Sequence, residues 1–87
     1  MKNRYALAFA TVVPGCPRGR VYASFGGRRF ADYDAAVEAM EAERRPLFVT
    51  CVVDVGRMRV AASEAPDIVF RGEPVVWIKN PEPVTTG

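Results

Sequence analysis

The chain has 87 residues, of which 49% are hydrophobic and 25% charged, enough for one core, too short for two, and not a disordered composition. It contains no His, so the commonest general base and the commonest metal ligand are missing, and two Cys alone cannot complete a zinc site. The formal charge of +2 is too small to imply nucleic-acid or membrane binding by itself.

Tyr5, Leu7 and Phe9 alternate with Ala6, Ala8 and Ala10, and Thr11 and Val13 continue the pattern. Period two with aromatic and β-branched residues predicts a strand over 5–13 whose Ala face is flat, open to a close neighbour or to solvent. Pro14 to Gly19 is a turn cluster. Arg20 to Phe25 reads as a second strand, with Gly26-Gly27 as a tight turn and Arg28 to Ala31 as a short return strand.

Asp32 to Arg45 is the one helix. Asp32 suits the N-cap, Asp34 the first turn, and Tyr33, Ala36, Val37 and Met40 share a face. Glu41 is placed to reach Arg45 one turn on, and Pro46 stops the run. Leu47 to Val55 is the strongest strand, apolar on both faces and therefore expected to be covered on both. Gly56-Arg57 reads as a turn before a strand near Met58 to Ala62. Ile68 to Phe70 and Val75 to Lys79 are expected to form a last hairpin around Arg71 to Pro74. The expected domain is 1–80, and 81–87, with Pro81 and Pro83, reads as a frayed tail.

This order predicts an α+β domain with a mainly antiparallel sheet of about five strands packed on one helix, in strands–helix–strands order. One helix cannot cover five strands. Either apolar sheet surface is left for a partner or a second copy, or the sheet twists enough to be covered by itself and its loops.

The charge is unevenly placed. Residues 1–30 carry six basic residues and no acid, whereas residues 31–50 carry five acids against Arg44 and Arg45. Ten of the twelve basic residues are Arg. That suits carboxylate or phosphate recognition, although a GC-rich genome produces the same bias, and the abundant Ala, Val, Gly and Pro favour that plainer explanation.

Among chemistry-bearing residues, Cys16 sits in a turn near Arg18 and Arg20, which favour a thiolate, but no His is present to act as its base. It reads more readily as a tolerated loop thiol. Cys51 lies on an apolar strand face and is expected to be a buried small hydrophobe. Asp54 interrupts an apolar strand: it is either a buried carboxylate with a raised pKa or, the favoured reading, the strand's end at the Gly56 turn. Trp77 reads as core, with a binding hot spot as the alternative.

No phosphate-loop, dinucleotide, zinc-protease or nucleophile-elbow pattern occurs, so no catalytic residue, metal or cofactor is expected. The thiol usage and the lack of a signal or spanning segment read as cytoplasmic, with no membrane role, and the chain reads as a complete small gene product. The leading expectation is a non-enzymatic protein acting through protein–protein contacts, homodimeric or with a separate partner, using Arg18, Arg20, Tyr22, Arg28 and Arg29. As a class, such proteins include inhibitors and adaptors that block a partner sterically, among them the anti-CRISPR kind carried by phages. The competing expectation is a single-stranded nucleic-acid-binding module in which the aromatics of the 18–30 hairpin stack bases beside Arg.

Overall fold

The computed structural model describes residues 3–11 and 20–78. Among these residues five strands and one helix follow one another as β1 (Tyr5–Ala10), β2 (Val21–Phe30), α1 (Tyr33–Ala42), β3 (Val49–Asp54), β4 (Arg59–Ser63) and β5 (Val75–Trp77). They form one sheet in the order β4-β3-β1-β2-β5. Every pairing is antiparallel except β2 with β5, which is parallel. The α+β class and the mostly antiparallel sheet are therefore as expected.

Strand β1 is central because both of its faces can be buried. Leu7 and Phe9 point to the helix side, where they pack with Val52 against Ala36 and Met40 of α1. The small residues Ala8 and Ala10 point to the opposite face and are fully buried there with Ala23, Cys51, Val53 and Val60. Among the described residues no helix covers that second face. It is enclosed because the sheet curls until its edges meet: Val60 N–H donates to the Glu73 carbonyl (2.9 Å), Gly72 N–H to Val60 (2.8 Å) and Val75 N–H to Met58 (2.9 Å). Ala, Val and Cys fill the interior because a tight curl leaves little room between opposing walls. Of the two outcomes the sequence left open, the second holds: the sheet closes on itself and the loop between β4 and β5 adds Val69 and Ala65 to the same cluster, so the face is not left for a partner to cover and only its margin stays exposed.

Three local expectations are also corrected. Gly26-Gly27 is no hairpin turn, because β2 runs unbroken through it with a bulge. Between the pairs Ala6↔Arg29 and Ala8↔Phe25, β1 advances two residues while β2 advances four. Gly27 takes φ +82°, the left-handed conformation that a bulge or a turn equally demands. Ile68 to Phe70 is not a strand, and Val75–Trp77 pairs in parallel with Val21–Ala23 rather than closing a hairpin. The helix begins as expected, with the Asp32 carboxylate accepting the Ala35 N–H at 3.2 Å, but it ends at Ala42, short of Arg45. There the Thr50 hydroxyl donates to the Glu43 carbonyl at 3.0 Å, drawing the chain out of helical geometry. Arg45 consequently lies over the Phe9 ring, 4.0 Å from its centroid, and Arg44 pairs with Glu64 at 3.2 Å. The Pro14 to Gly19 turn with Cys16 and Arg18, and the tail 81–87, lie outside the described residues.

Candidate interaction surface

Side chains alternate across a strand, so the inward positions of successive strands stack in layers along the curl. Val21, Ala23 and Phe25 share one parity on β2, and Val75 and Trp77 share the same face on β5. Phe25 and Trp77 lie past the closed core, at the mouth of the curl. Their rings meet edge to face with centroids 6.0 Å apart, and Phe25 is half exposed. Ala6 and Val55 belong to the same inner face, and Arg29 joins it because it pairs with Ala6 after the bulge. These five residues line an apolar notch of about 160 Å³ with one guanidinium at its edge.

The bulge decides which basic residues can act together. Arg29 faces the mouth, whereas its neighbour Arg28 faces the helix side, stacked on Phe30 at 5.1 Å and paired with Glu43 at 3.0 Å. Arg28 is thereby tied to the domain itself. Arg20 is exposed beside the β5 pairing, and Tyr22 is half buried, its carbonyl accepting the Thr11 N–H at 2.9 Å. Of the residues read from the sequence as partner-binding, the structure puts Arg29 at the notch and Arg28 on the other side of the sheet. Phe25, weighed from the sequence only as one of the aromatics of the 18–30 segment and left out of the partner-binding set, stands half exposed in the notch. Trp77, read mainly as core, is half buried at the same rim.

One edge of β2 is also open. From Ser24 to Phe30 its one side pairs with β1, while β5 reaches only Val21 to Ala23 on the other, extended by the Ile78 N–H to the Ala23 carbonyl at 3.0 Å. Among the described residues nothing else pairs with that stretch. Arg28, Arg29 and the bulge break its flatness, the usual protection of an edge against indiscriminate strand addition.

Asp54, Arg4 and Cys51 have structural explanations. The Asp54 carboxylate accepts two hydrogen bonds from Arg4 on Oδ2 (3.1 and 2.9 Å) and the Gly56 and Arg57 N–H groups on Oδ1 (3.1 and 3.3 Å). The Arg4 hydrogen bond, aided by the turn amides, holds its pKa below the usual carboxylate value despite burial. The same hydrogen bond raises the Arg4 pKa. Asp54 is the strand's end at the Gly56 turn, and the raised-pKa alternative is corrected. Cys51 is fully buried, and burial, with a smaller contribution from Glu64, pushes its thiol up to about 12. No helix among the described residues is long and apolar enough to cross a membrane. Neither a family model, nor a curated protein, nor a solved structure matches this chain.

Proposed function

We propose that this protein is a binding domain that works without turnover, capturing an acidic protein partner at the mouth of its curled sheet. One observation carries the reading: an aromatic pair, half-exposed Phe25 against half-buried Trp77, lines an apolar notch beside Arg29, next to a strand edge left unpaired among the described residues. Aromatic and Arg side chains around a small desolvated pocket are what dominate binding energy at protein interfaces. An apolar side chain of the partner enters the notch, a neighbouring carboxylate meets Arg29, and the partner's backbone lies along Ser24 to Phe30. Arg20 contributes charge from the far end of β2. Inhibition or adaptation then follows from steric cover of the partner's own site, the mode expected of a small inhibitor of the anti-CRISPR kind.

The test compares the wild type with a Phe25→Ser/Arg29→Glu double variant in crosslinking and affinity capture from the native host. Loss of a specific acidic partner, with the circular dichroism spectrum unchanged, supports the reading, and full retention by the variant sinks it. The half-exposed Phe25 ring beside Arg29 also suits a stacked base. Binding of single-stranded nucleic acid that weakens steeply with salt and disappears in the double variant would assign the surface to that ligand instead. Concentration-dependent dimerisation lost in the variant would assign it to a second copy.

A further inference from the structure

A second cavity, of about 280 Å³, has the Arg4–Asp54 pair in its wall. Four guanidinium-bearing residues line it, Arg4, Arg57, Arg59 and Arg71, with Tyr5 and Tyr33 also in its wall. Asp54 is the one acid in the lining, and both of its oxygens are already engaged by Arg4 and the turn amides. The lining therefore carries a formal +3. Among the described residues Arg57, Arg59 and Arg71 form no salt bridge, although three other Arg do.

Like charges gathered in a concave site repel one another and focus a positive potential into it. Here they are gathered by backbone geometry. Arg57 lies in the tight turn whose amides Asp54 holds, and Arg71 precedes Gly72, which has φ +91°. Arg59 Nη1 donates to the Gly72 carbonyl at 2.7 Å, and the Gly72 N–H donates to Val60, so the two turns are locked together. That contact uses one of the five N–H donors of the Arg59 side chain. The Arg59 fork is held in place by that contact, and Arg57 and Arg71 bring two further planar guanidiniums to the same cleft, the group that recognises phosphoryl oxygens in pairs.

From this cleft we propose a site for the phosphate monoester of a small organic molecule. Three uncompensated guanidiniums around one cavity match charge concentrated on a single dianion, whereas a diester strand spreads single charges along a track. The cavity is larger than a bare phosphate requires. Tyr5 and Tyr33 also line it, their rings meeting edge to face at 5.7 Å, and Tyr33 is partly exposed. An organic group esterified to the phosphate rests on that wall. This site is separate from the notch at Phe25 and Trp77 and does not depend on what binds there.

The experiment follows backbone amide and Arg side-chain resonances of the full chain by NMR during titration with AMP, inorganic phosphate, adenosine and an oligonucleotide without a terminal phosphate. AMP is expected to shift Arg57, Arg59, Arg71 and Gly72 saturably, phosphate to shift the same groups more weakly, and adenosine to leave them unmoved. An Arg57→Gln/Arg71→Gln variant, which keeps the Arg4–Asp54 pair, is expected to weaken AMP binding about tenfold or more while retaining the wild-type spectrum elsewhere. The proposal is overturned if AMP at millimolar concentration shifts none of these groups, if adenosine binds as well as AMP, or if the double variant binds AMP unchanged. Equal competition by the unphosphorylated oligonucleotide would overturn it in favour of a backbone-phosphate site.

Discussion

The Phe9 ring occupies the space that a side chain at position 26 would need: a Cβ on Gly26 would stand 2.8 Å from Phe9 Cε2 and 3.0 Å from the Leu7 carbonyl oxygen. Phe9 is almost fully buried and has Arg45 over its ring, so it has little freedom to move aside. The bulge in β2 and the helix-side core are therefore a single packed unit.

Gly26→Ala is expected to destabilise the domain by about 1–3 kcal/mol through overpacking. Gly27→Ala meets open space but must hold φ +82°, and its expected cost of about 1–2 kcal/mol is conformational. Urea unfolding of both variants and of Gly27→Asn separates the causes. Asn tolerates the left-handed region and is expected to recover part of the loss at 27. A neutral Gly26→Ala would mean that Phe9 does not pack as described.

The Arg4–Asp54 pair predicts acid sensitivity. The native pKa of Asp54 is depressed, so in acid the unfolded chain binds its proton first, and stability contributed by the pair falls with falling pH. That contribution is complete above the ordinary carboxylate value of about 3.9 and is lost as the pH drops through the lower native value. Stability measured against pH for the wild type and Asp54→Asn is expected to converge at the acid end. A difference that stays constant down the whole acid range would rule out the pair as its source.

Cys51 predicts the opposite dependence at the alkaline end. Its thiol stays protonated in the native state up to about pH 12, while the unfolded thiol ionises near pH 8.5. Between those values the unfolded state holds fewer protons, so wild-type stability falls by about 1.4 kcal/mol per pH unit from this group. Cys51→Ala removes that slope, whatever it costs in packing. The pH dependence of the stability difference is the measurement, and parallel wild-type and variant curves above pH 8.5 would refute it.

Much of the fold was legible locally. The alternation of Tyr5 to Ala10, the Asp32 cap and the position of Asp54 before the Gly56 turn each carry a signal within a few residues, and each proved correct. Gly26-Gly27 misled because a hairpin turn and a bulge ask for the same positive φ. The difference lies in which residues of β1 oppose the strand, and that is not local information. The parallel partner of Val75–Trp77 lies some fifty residues away, since Val21 pairs with Val75. Arg28 and Arg29 looked like one patch because the sequence pattern does not reveal that the former faces Glu43 and the latter the notch. The cleft at Arg4, Arg57, Arg59 and Arg71 has no motif at all: curling brings two turns and the start of β1 together.

The early helix end has a cause outside the helix, and it can be tested there. Arg44 and Arg45 are good helix formers, and Pro46 disfavours helical geometry only at Arg45, so it does not explain an end at Ala42. Instead the Glu43 N–H closes the last turn on Ala39 at 3.0 Å, and the Glu43 carbonyl accepts from Thr50, a fully buried residue of β3. Thr50 is held in turn by Glu64, whose carboxylate accepts the Thr50 N–H at 3.0 Å and whose own N–H donates to the Thr50 carbonyl at 3.1 Å. Thr50→Val keeps the shape and removes the donor, leaving the Glu43 carbonyl without it, at an expected cost of about 1–3 kcal/mol. Thr50→Ser keeps the hydroxyl and is expected to preserve the helix end despite the lost methyl. Hydrogen exchange at the Glu43 amide reads the effect directly: it should quicken in Thr50→Val and stay near the wild-type rate, relative to global stability, in Thr50→Ser. Equal exchange in all three proteins would show that the helix ends at Ala42 for a reason other than this bond.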